Sequence, residues 1–357
     1  MKKTSLSILL ISLFFNNQTF SKTITNKDLN KSKKGKSALS STKASNNQSE
    51  ETLSQMRPSY SHINNTYNLG DLQFMPRQGE VAATVELASK PSNMTATFKG
   101  KDVAEAKESA ITQNYKINYG ALEKLSLGVS VEHFISGKRE TEIFEQKKTV
   151  TVKASGLSDP IINGTYRLTS QGLNKVNTDL TLSFSPSLIK AEEASEDKKG
   201  TRGRGAYMTQ AKVEVGAKLS TVSVSGNASL LLEGEKEIKD LTTSEKYKID
   251  SNTAFALGGA VRKELMDDFA LKGGLDLTFI GEEKRKSAGK SFYIMDTFTR
   301  LSFSAEAQYS IIPEKILAKL LLRTNSESSR TLKLNDNPLD VDSSSGQVYL
   351  LGADFRF

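Results

Sequence analysis

Nine residues, Tyr349-Leu350-Leu351-Gly352-Ala353-Asp354-Phe355-Arg356-Phe357, constrain the fold of this chain more than any other stretch. Tyr349, Leu351, Ala353, Phe355 and Phe357 share one parity; Gly352, Asp354 and Arg356 share the other. Successive side chains of a strand point to opposite faces, so the alternation sets an apolar face against one solvent and a polar face against another. The texture recurs upstream. Leu125, Leu127, Val129 and Val131 alternate with Ser126, Gly128, Ser130 and Glu132. Phe269, Leu271, Leu275, Leu277 and Phe279 alternate with Lys272, Gly274, Asp276 and Thr278, and Leu301, Phe303, Ala305 and Ala307 with Arg300, Ser302, Ser304 and Glu306.

Twelve segments of this kind fall at about 80–88, 110–119, 124–135, 160–169, 177–185, 207–219, 221–232, 252–263, 268–280, 297–311, 315–324 and 346–357. Their connections alternate in length. Short ones lie near Ala121–Glu123, Gly172–Val176, Ser220, Glu264–Asp267 and Ile312–Glu314. Long polar ones cover about 89–109, 136–159, 186–206, 233–251, 281–296 and 325–345. A tilted membrane strand needs roughly 9–11 residues, and even-stranded outer-membrane barrels pair short periplasmic turns with long external loops. The expected fold class is all-β, a transmembrane antiparallel up-and-down barrel of about 12 strands, within about 10 to 14. The first hairpin is the least fixed, since Asn93–Lys99 either extends a strand or forms its own. A soluble β-sandwich would show the same alternation. The rhythm of loop lengths and the two termini favour the barrel.

The pattern of Tyr349, Leu351, Phe355 and Phe357 resembles the C-terminal assembly signal of Gram-negative outer-membrane β-barrel proteins. That resemblance implies recognition by the barrel-assembly machinery and residence in the cell outer membrane, among its lipid and lipopolysaccharide. At the other end, Lys2 and Lys3 precede an apolar core from Leu6 to Phe15, and Thr19 and Ser21 suit cleavage before Lys22. Such a core is too short to span a bilayer, so residues 1–21 read as a removable signal peptide. Residues 22–70, rich in Lys, Ser and Asn, are expected to be a disordered periplasmic tail, and 71–357 the barrel. The cluster Lys31, Lys33, Lys34 and Lys36 is either a solvated spacer or a contact for anionic lipid or another polyanion.

The net charge of +8 divides into +2 for the signal, +5 for the tail and +1 for the rest. The folded part is nearly neutral, which argues against a nucleic-acid partner. Cysteine is absent, which removes disulfides and thiolate metal sites. Hydrophobic content is only 37%, little for a single large dry core but enough for a barrel whose interior is wet.

Catalytic signals are sparse. The two histidines are His62, near the tail, and His133, which shares the outward parity of Val129 and Val131. The outer-membrane phospholipase, also twelve-stranded, carries a serine nucleophile and histidine base on its outer surface. Here Ser136 lies three residues from His133, which in a regular strand puts the pair on opposite faces. No triad and no metal spacing is visible, so neither an enzyme nor a cofactor is expected. Gly200-Thr201-Arg202-Gly203-Arg204-Gly205 reads as an external basic loop, either simply flexible or touching lipopolysaccharide phosphates. Gly156-Leu157-Ser158-Asp159-Pro160, leading into Ile162-Asn163-Gly164-Thr165-Tyr166-Arg167-Leu168, resembles the Gly-Leu-Gly-Asp element of transporter-like barrels linked to phenol and hydrocarbon degradation. Ser158 replaces the second glycine. The resemblance implies solute passage and names no solute; a tight Asp-Pro turn opening a strand accounts for the same residues.

Inward parity carries the functional reading. Lys272, Asp276, Arg300, Glu306, Lys319, Asp354 and Arg356 all fall on the polar face. So many charges cannot occupy a dry apolar interior, so the lumen is hydrated or laced with ion pairs. Two functions stay open: a passive channel or transporter for small hydrophilic or amphipathic solutes, and a non-conducting barrel whose external loops do the work.

Overall fold

The computed structural model describes residues 69–357, apart from 99, 145–146, 172–175, 194–198, 241–245, 288–289 and 335–336. The signal segment, the tail through residue 68 with His62, and most of the turn expected at Gly172–Val176 lie outside the described residues.

Twelve membrane-crossing strands follow one another around the barrel. They are β1 (Val81–Ser89), β2 (Lys101–Leu122), β3 (Leu125–Ile143), β4 (Ile161–Thr169), β5 (Asn177–Ser185) and β6 (Met208–Leu219). Then come β7 (Val222–Glu233), β8 (Asn252–Glu264), β9 (Phe269–Ile280), β10 (Phe298–Ile312), β11 (Ile316–Glu327) and β12 (Ser344–Arg356). Each pairs antiparallel with the next, and β12 returns to β1 from Ala82↔Arg356 to Ser89↔Tyr349. Closure satisfies the edge hydrogen bonds that lipid could not. The expected short turns recur at Glu123–Lys124, Ser220–Thr221 and Pro313–Lys315, with Ser220 and Glu314 at positive φ of 56° and 68°.

Closure also sorts the side chains. Leu127, Val129, Leu271, Leu275, Phe303, Leu320 and Leu351 are exposed on the outer face, whereas Ser126, Ser130, Lys272, Asp276, Ser302 and Asp354 are buried inside. A continuous exposed apolar belt on a closed barrel matches hydrocarbon rather than water.

The long connections depart from the expectation of open loops. Five of the six are largely strand: Ser92–Phe98, Lys148–Leu157, Lys236–Asp240 with Lys246–Ile249, Glu283–Ser287 with Lys290–Met295, and Arg330–Leu334 with Asn337–Val341. The first of these pairs with β2, so the described part of the uncertain Asn93–Lys99 stretch, through Phe98, extends the wall. β2 alone has 22 residues, about 70 Å of strand at ~3.3 Å per residue, well beyond what a bilayer requires. In this raised crown the hydropathy phase inverts. Tyr247, Ile249, Leu332, Leu339 and Val341 turn inward and are buried, while Lys246, Lys248, Lys333 and Asp340 face out. Water has replaced lipid outside, so the apolar side turns inward as in a soluble protein: Leu332, Leu339 and Val341 join Tyr293, Met295 and Phe298 in one core in the external half, and Tyr247 and Ile249 form a second with Ile238.

The sixth connection, 186–206, folds back instead. It fills the gap in the crown between Lys148–Leu157 and Lys236–Asp240, through parallel pairings of Gly200 with Ala154 and of Glu192 with Lys239. At the periplasmic end the residues ahead of β1 are folded too. Leu69 and Phe74 pack against Ala82 and Leu317, and Met75 is fully buried.

Candidate functional site

Among the described residues the lumen is the candidate site, and its chemistry changes along the axis. At the periplasmic mouth the segment from Leu69 to Met75 crosses the opening. Asp71, 1% exposed, contacts Arg262 Nη1 at 2.5 Å and Lys218 Nζ at 3.3 Å. Both cations also meet Glu264, at 2.9 and 2.5 Å. Gln73 Nε2 donates to the carbonyl oxygens of Glu214 (2.9 Å) and Asn177 (3.3 Å), and its own carbonyl accepts from the Arg167 guanidinium. Arg167 is fully buried and holds Asp179 through two bonds of 2.8 and 2.9 Å. Side chains from β4, β6 and β8 thus grip one short piece of backbone and one carboxylate.

Midway up, the inward charges occur as neighbours on adjacent strands. Lys319 lies between Glu86 at 2.7 Å and Asp354 at 3.0 Å, and Thr84 Oγ1 donates to Asp354 at 2.8 Å. Lys272 faces Glu306 at 3.5 Å, and Gln308 Nε2 donates to the same carboxylate at 2.5 Å. Asp276 is buried on the same inner face. Thr278 Oγ1 and Asn227 Oδ1 are buried without a protein hydrogen-bond partner.

The structure redistributes two of the residues read from parity. Arg300 belongs to the external half, where its Nε donates to Glu327 at 2.8 Å. Arg330 meets the same carboxylate at 3.0 Å and lies 4.1 Å over the Phe298 ring. Arg356 does not line the passage. It is clamped to Glu80 at 2.6 Å on the periplasmic rim, because β12 ends beside the start of β1 there. Tyr349, Leu351 and Phe357 are exposed on the outer face, and the Phe355 and Phe357 rings stack with centroids 6.5 Å apart.

In the external half the Gly156–Pro160 stretch turns Ser158 and Asp159 into the barrel, where both are buried. Asp159 accepts backbone N–H groups from Leu188 and Ile189 (2.8 Å each) and Arg204 (2.6 Å), so it anchors the folded-back connection. The glycines of 200–205 serve close packing: a Cβ on Gly203 would lie 1.9 Å from the Ile189 carbonyl oxygen. This corrects the reading of 200–205 as an outer loop. Arg202 instead lies 4.3 Å over the Phe134 ring inside the barrel, and Arg204 is 5% exposed. Burial pushes the Arg202 guanidinium down to about 10, with Glu132 offsetting part of the effect, and lowers Arg204 in the same way.

Two cavities among the described residues bear on passage. One of about 120 Å³ is lined by Lys90, Glu108, Phe134, Arg300 and Glu327 among others. One of about 40 Å³ is lined by Glu86, Asn114, Glu132, Asp159 and Arg204. Both include Lys90 and Val348, so they lie end to end along the β1–β12 wall, from the crown down to the Lys319 cluster. The larger has room for several waters or one small solute.

Outside the lumen little chemistry is assembled. A bulge between Phe134 and Gly137 shifts the phase of β3, so Ser136 is exposed rather than set on the face opposite His133. The shift removes the facing argument against the pair, yet no hydrogen bond joins Ser136 to His133, and a serine nucleophile needs its base within such reach. No cluster suited to a metal ion occurs among the described residues.

Asp71, Gln73 and the clamp at Asp159 were hidden from sequence reasoning. Arg262 was within reach, since it shares inward parity with Ala254 and Ala256.

No family model matches the chain, and no curated protein is similar to it in sequence. Solved structures are similar in fold. An outer-membrane channel from Pseudomonas putida F1 matches with a TM-score of 0.54 and 14% identity, over 81% of this chain and 98% of that one. The outer-membrane protease OmpT from Escherichia coli matches with a TM-score of 0.35 and 9% identity, over 80% of this chain and 99% of that one. A FadL homologue from Pseudomonas aeruginosa gives 0.38 and 9%, over 78% and 90%. A closed antiparallel ring, a lipid-matched belt and the fold shared with the P. putida protein agree: the chain is a twelve-stranded transmembrane β-barrel of the outer-membrane type.

Proposed function

We propose that the barrel is a channel for small polar or amphipathic solutes, held shut at its periplasmic mouth by the segment Leu69–Met75. The observation that carries this reading is the pair of cavities, each lined by several charged side chains, that run end to end along the β1–β12 wall toward the Lys319 cluster. A purely structural barrel has no need of a passage lined by paired charges, and filling it with apolar side chains would be at least as stable. The P. putida protein of like fold is itself an outer-membrane channel, which is consistent with this reading. Outer-membrane lipid and lipopolysaccharide surround the belt, and the barrel-assembly machinery inserts it.

Single-channel recording in planar bilayers tests the proposal. The parent is expected to give small or infrequent current steps. A variant lacking residues 22–78 is expected to give larger, sustained ones. Silence from both proteins would overturn the channel reading in favour of a non-conducting surface barrel.

A further inference from the structure

We propose that Lys138 and Lys153, side by side on the outer wall just above the apolar belt, dock a phosphate of lipopolysaccharide in the outer leaflet. The site lies on the lipid-facing surface, so the inference holds whether or not the barrel conducts.

Register places the pair. Lys138 of β3 is directly opposite Lys153 on the Lys148–Leu157 strand, and both side chains are exposed. Ser109 of β2, also exposed, stands opposite Lys138 on its other flank. The belt ends beneath this row, at Ile111, Ile135 and Leu157, which are 44%, 45% and 53% exposed. Leu157 follows Lys153 by four residues on the way down to the membrane. At ~3.3 Å per residue and a tilt of ~40°, that is about 10 Å of height. The headgroup zone adds roughly 5–8 Å beyond the hydrocarbon, and lysine stems lie along apolar surface while their ammonium groups reach the phosphates. The hydroxyls of Ser109 beside Lys138 and of exposed Ser136 just beneath it suit a phosphate carried on a sugar.

Charge is the second support. Like charges directly opposite one another on a sheet cost stability, and a bridging anion turns that cost into attraction. A second directly opposed pair on the crown, Lys248 and Lys286, has a carboxylate for each, Glu235 and Asp250, at 2.6 Å. At the first pair, Lys138 has Glu140 at 2.5 Å, and Lys153 has no ion pair among the described residues. The other carboxylates of this wall lie further from the membrane. Glu140 is opposite Lys107, which holds Glu105 at 3.0 Å, and Glu105 is opposite Glu142. These three lysines and three carboxylates balance, with Lys138 and Lys153 nearest the lipid. The folded-back connection beside Lys153 adds no acidic excess, because residues 186–206 hold five cations against Glu192, Glu193, Glu196 and Asp197. Its Gly200 pairs with Ala154, which sets the exposed Lys199 next to Lys153 in the same row.

Native mass spectrometry of the barrel in detergent, titrated with bisphosphorylated lipid A, tests the site. A lysine near an anionic surface contributes about fivefold, so replacing Lys138 and Lys153 together by Gln is expected to weaken binding roughly 30-fold at low salt, and less as salt rises. Lys153→Arg is expected to retain binding, and Gln at both Lys248 and Lys286 to leave it unchanged. Lipid A stripped of its phosphates is expected to bind the parent no better than the intact lipid binds the Lys138 and Lys153 double variant. No binding by the parent, equal binding of the stripped lipid, or an equal loss from the Lys248 and Lys286 variant overturns the site. Phosphatidylglycerol held as tightly through the same two lysines overturns lipopolysaccharide as its occupant.

Discussion

Asp71 is the point where the periplasmic closure is most exposed to perturbation. Replacing it by Asn preserves shape and removes only charge. Lys218 and Arg262 do not lose their last carboxylate, because Glu264 touches both. The loss is therefore confined to the hold of Leu69–Met75 on the wall. Two charge-assisted contacts are weakened, each worth about 1.5 kcal/mol at the lower end for ionised groups, or ~3 kcal/mol together. At 1.4 kcal/mol per tenfold, the segment should leave its seat roughly 100-fold more often. Amide hydrogen exchange reads this directly. Peptides covering 69–75 should lose protection by about two orders of magnitude in Asp71→Asn, while peptides from β8 to β11 exchange as in the parent. Unchanged exchange at 69–75 would mean that Gln73 and the Leu69–Phe74 packing hold the segment by themselves. Loss of protection spread evenly around the barrel would mean that Asp71 supports the wall rather than the closure.

Lys319→Met should leave the buried Asp354 and the part-buried Glu86 without their shared cation, at a cost of about 3 kcal/mol, seen as a lower temperature for heat modification on a gel. Adding Asp354→Asn should recover part of it, and an unchanged midpoint would show that water, not Lys319, satisfies these carboxylates. Phe357, 77% exposed beside Phe355, can become Asp at little cost to the finished barrel, so purified Phe357→Asp should melt like the parent. Its yield in the outer membrane of cells should nevertheless fall sharply, and normal yield would refute an assembly role for the terminal aromatics.

The membrane-crossing strands were legible because two unlike solvents write a period of two into the chain. Where Leu271 and Leu275 meet lipid and Lys272 and Asp276 meet the lumen, parity alone assigns the face. The crown was not legible for a related reason. In Lys246-Tyr247-Lys248-Ile249 the alternation persists in the opposite phase, over only four residues and among charges, so it passes for loop. The Phe134–Gly137 bulge defeats parity differently, by slipping one residue and turning Ser136 outward. Lys272, Asp276, Glu306, Lys319 and Asp354 carry inward parity in the sequence and are buried. Asp71 and Gln73 carry no such signal, because a segment gripped from several sides needs no periodic pattern. The inward fate of Arg202 and Arg204 depends on Asp159 some forty residues earlier, a tertiary contact that no local rule contains.

The external crown is a hoop fastened by a buckle. Its staves pair antiparallel, but among the described residues the hoop meets itself through parallel contacts, of Gly200 with Ala154 and of Glu192 and Glu193 with Lys239 and Asp240. The piece that narrows the mouth is the same piece that fastens the ring. Swinging it outward would unfasten the crown and bare two strand edges to water, along with the apolar core that the crown encloses. If the barrel conducts as proposed, the outer narrowing is its fixed part, and opening and closing fall to the periplasmic end.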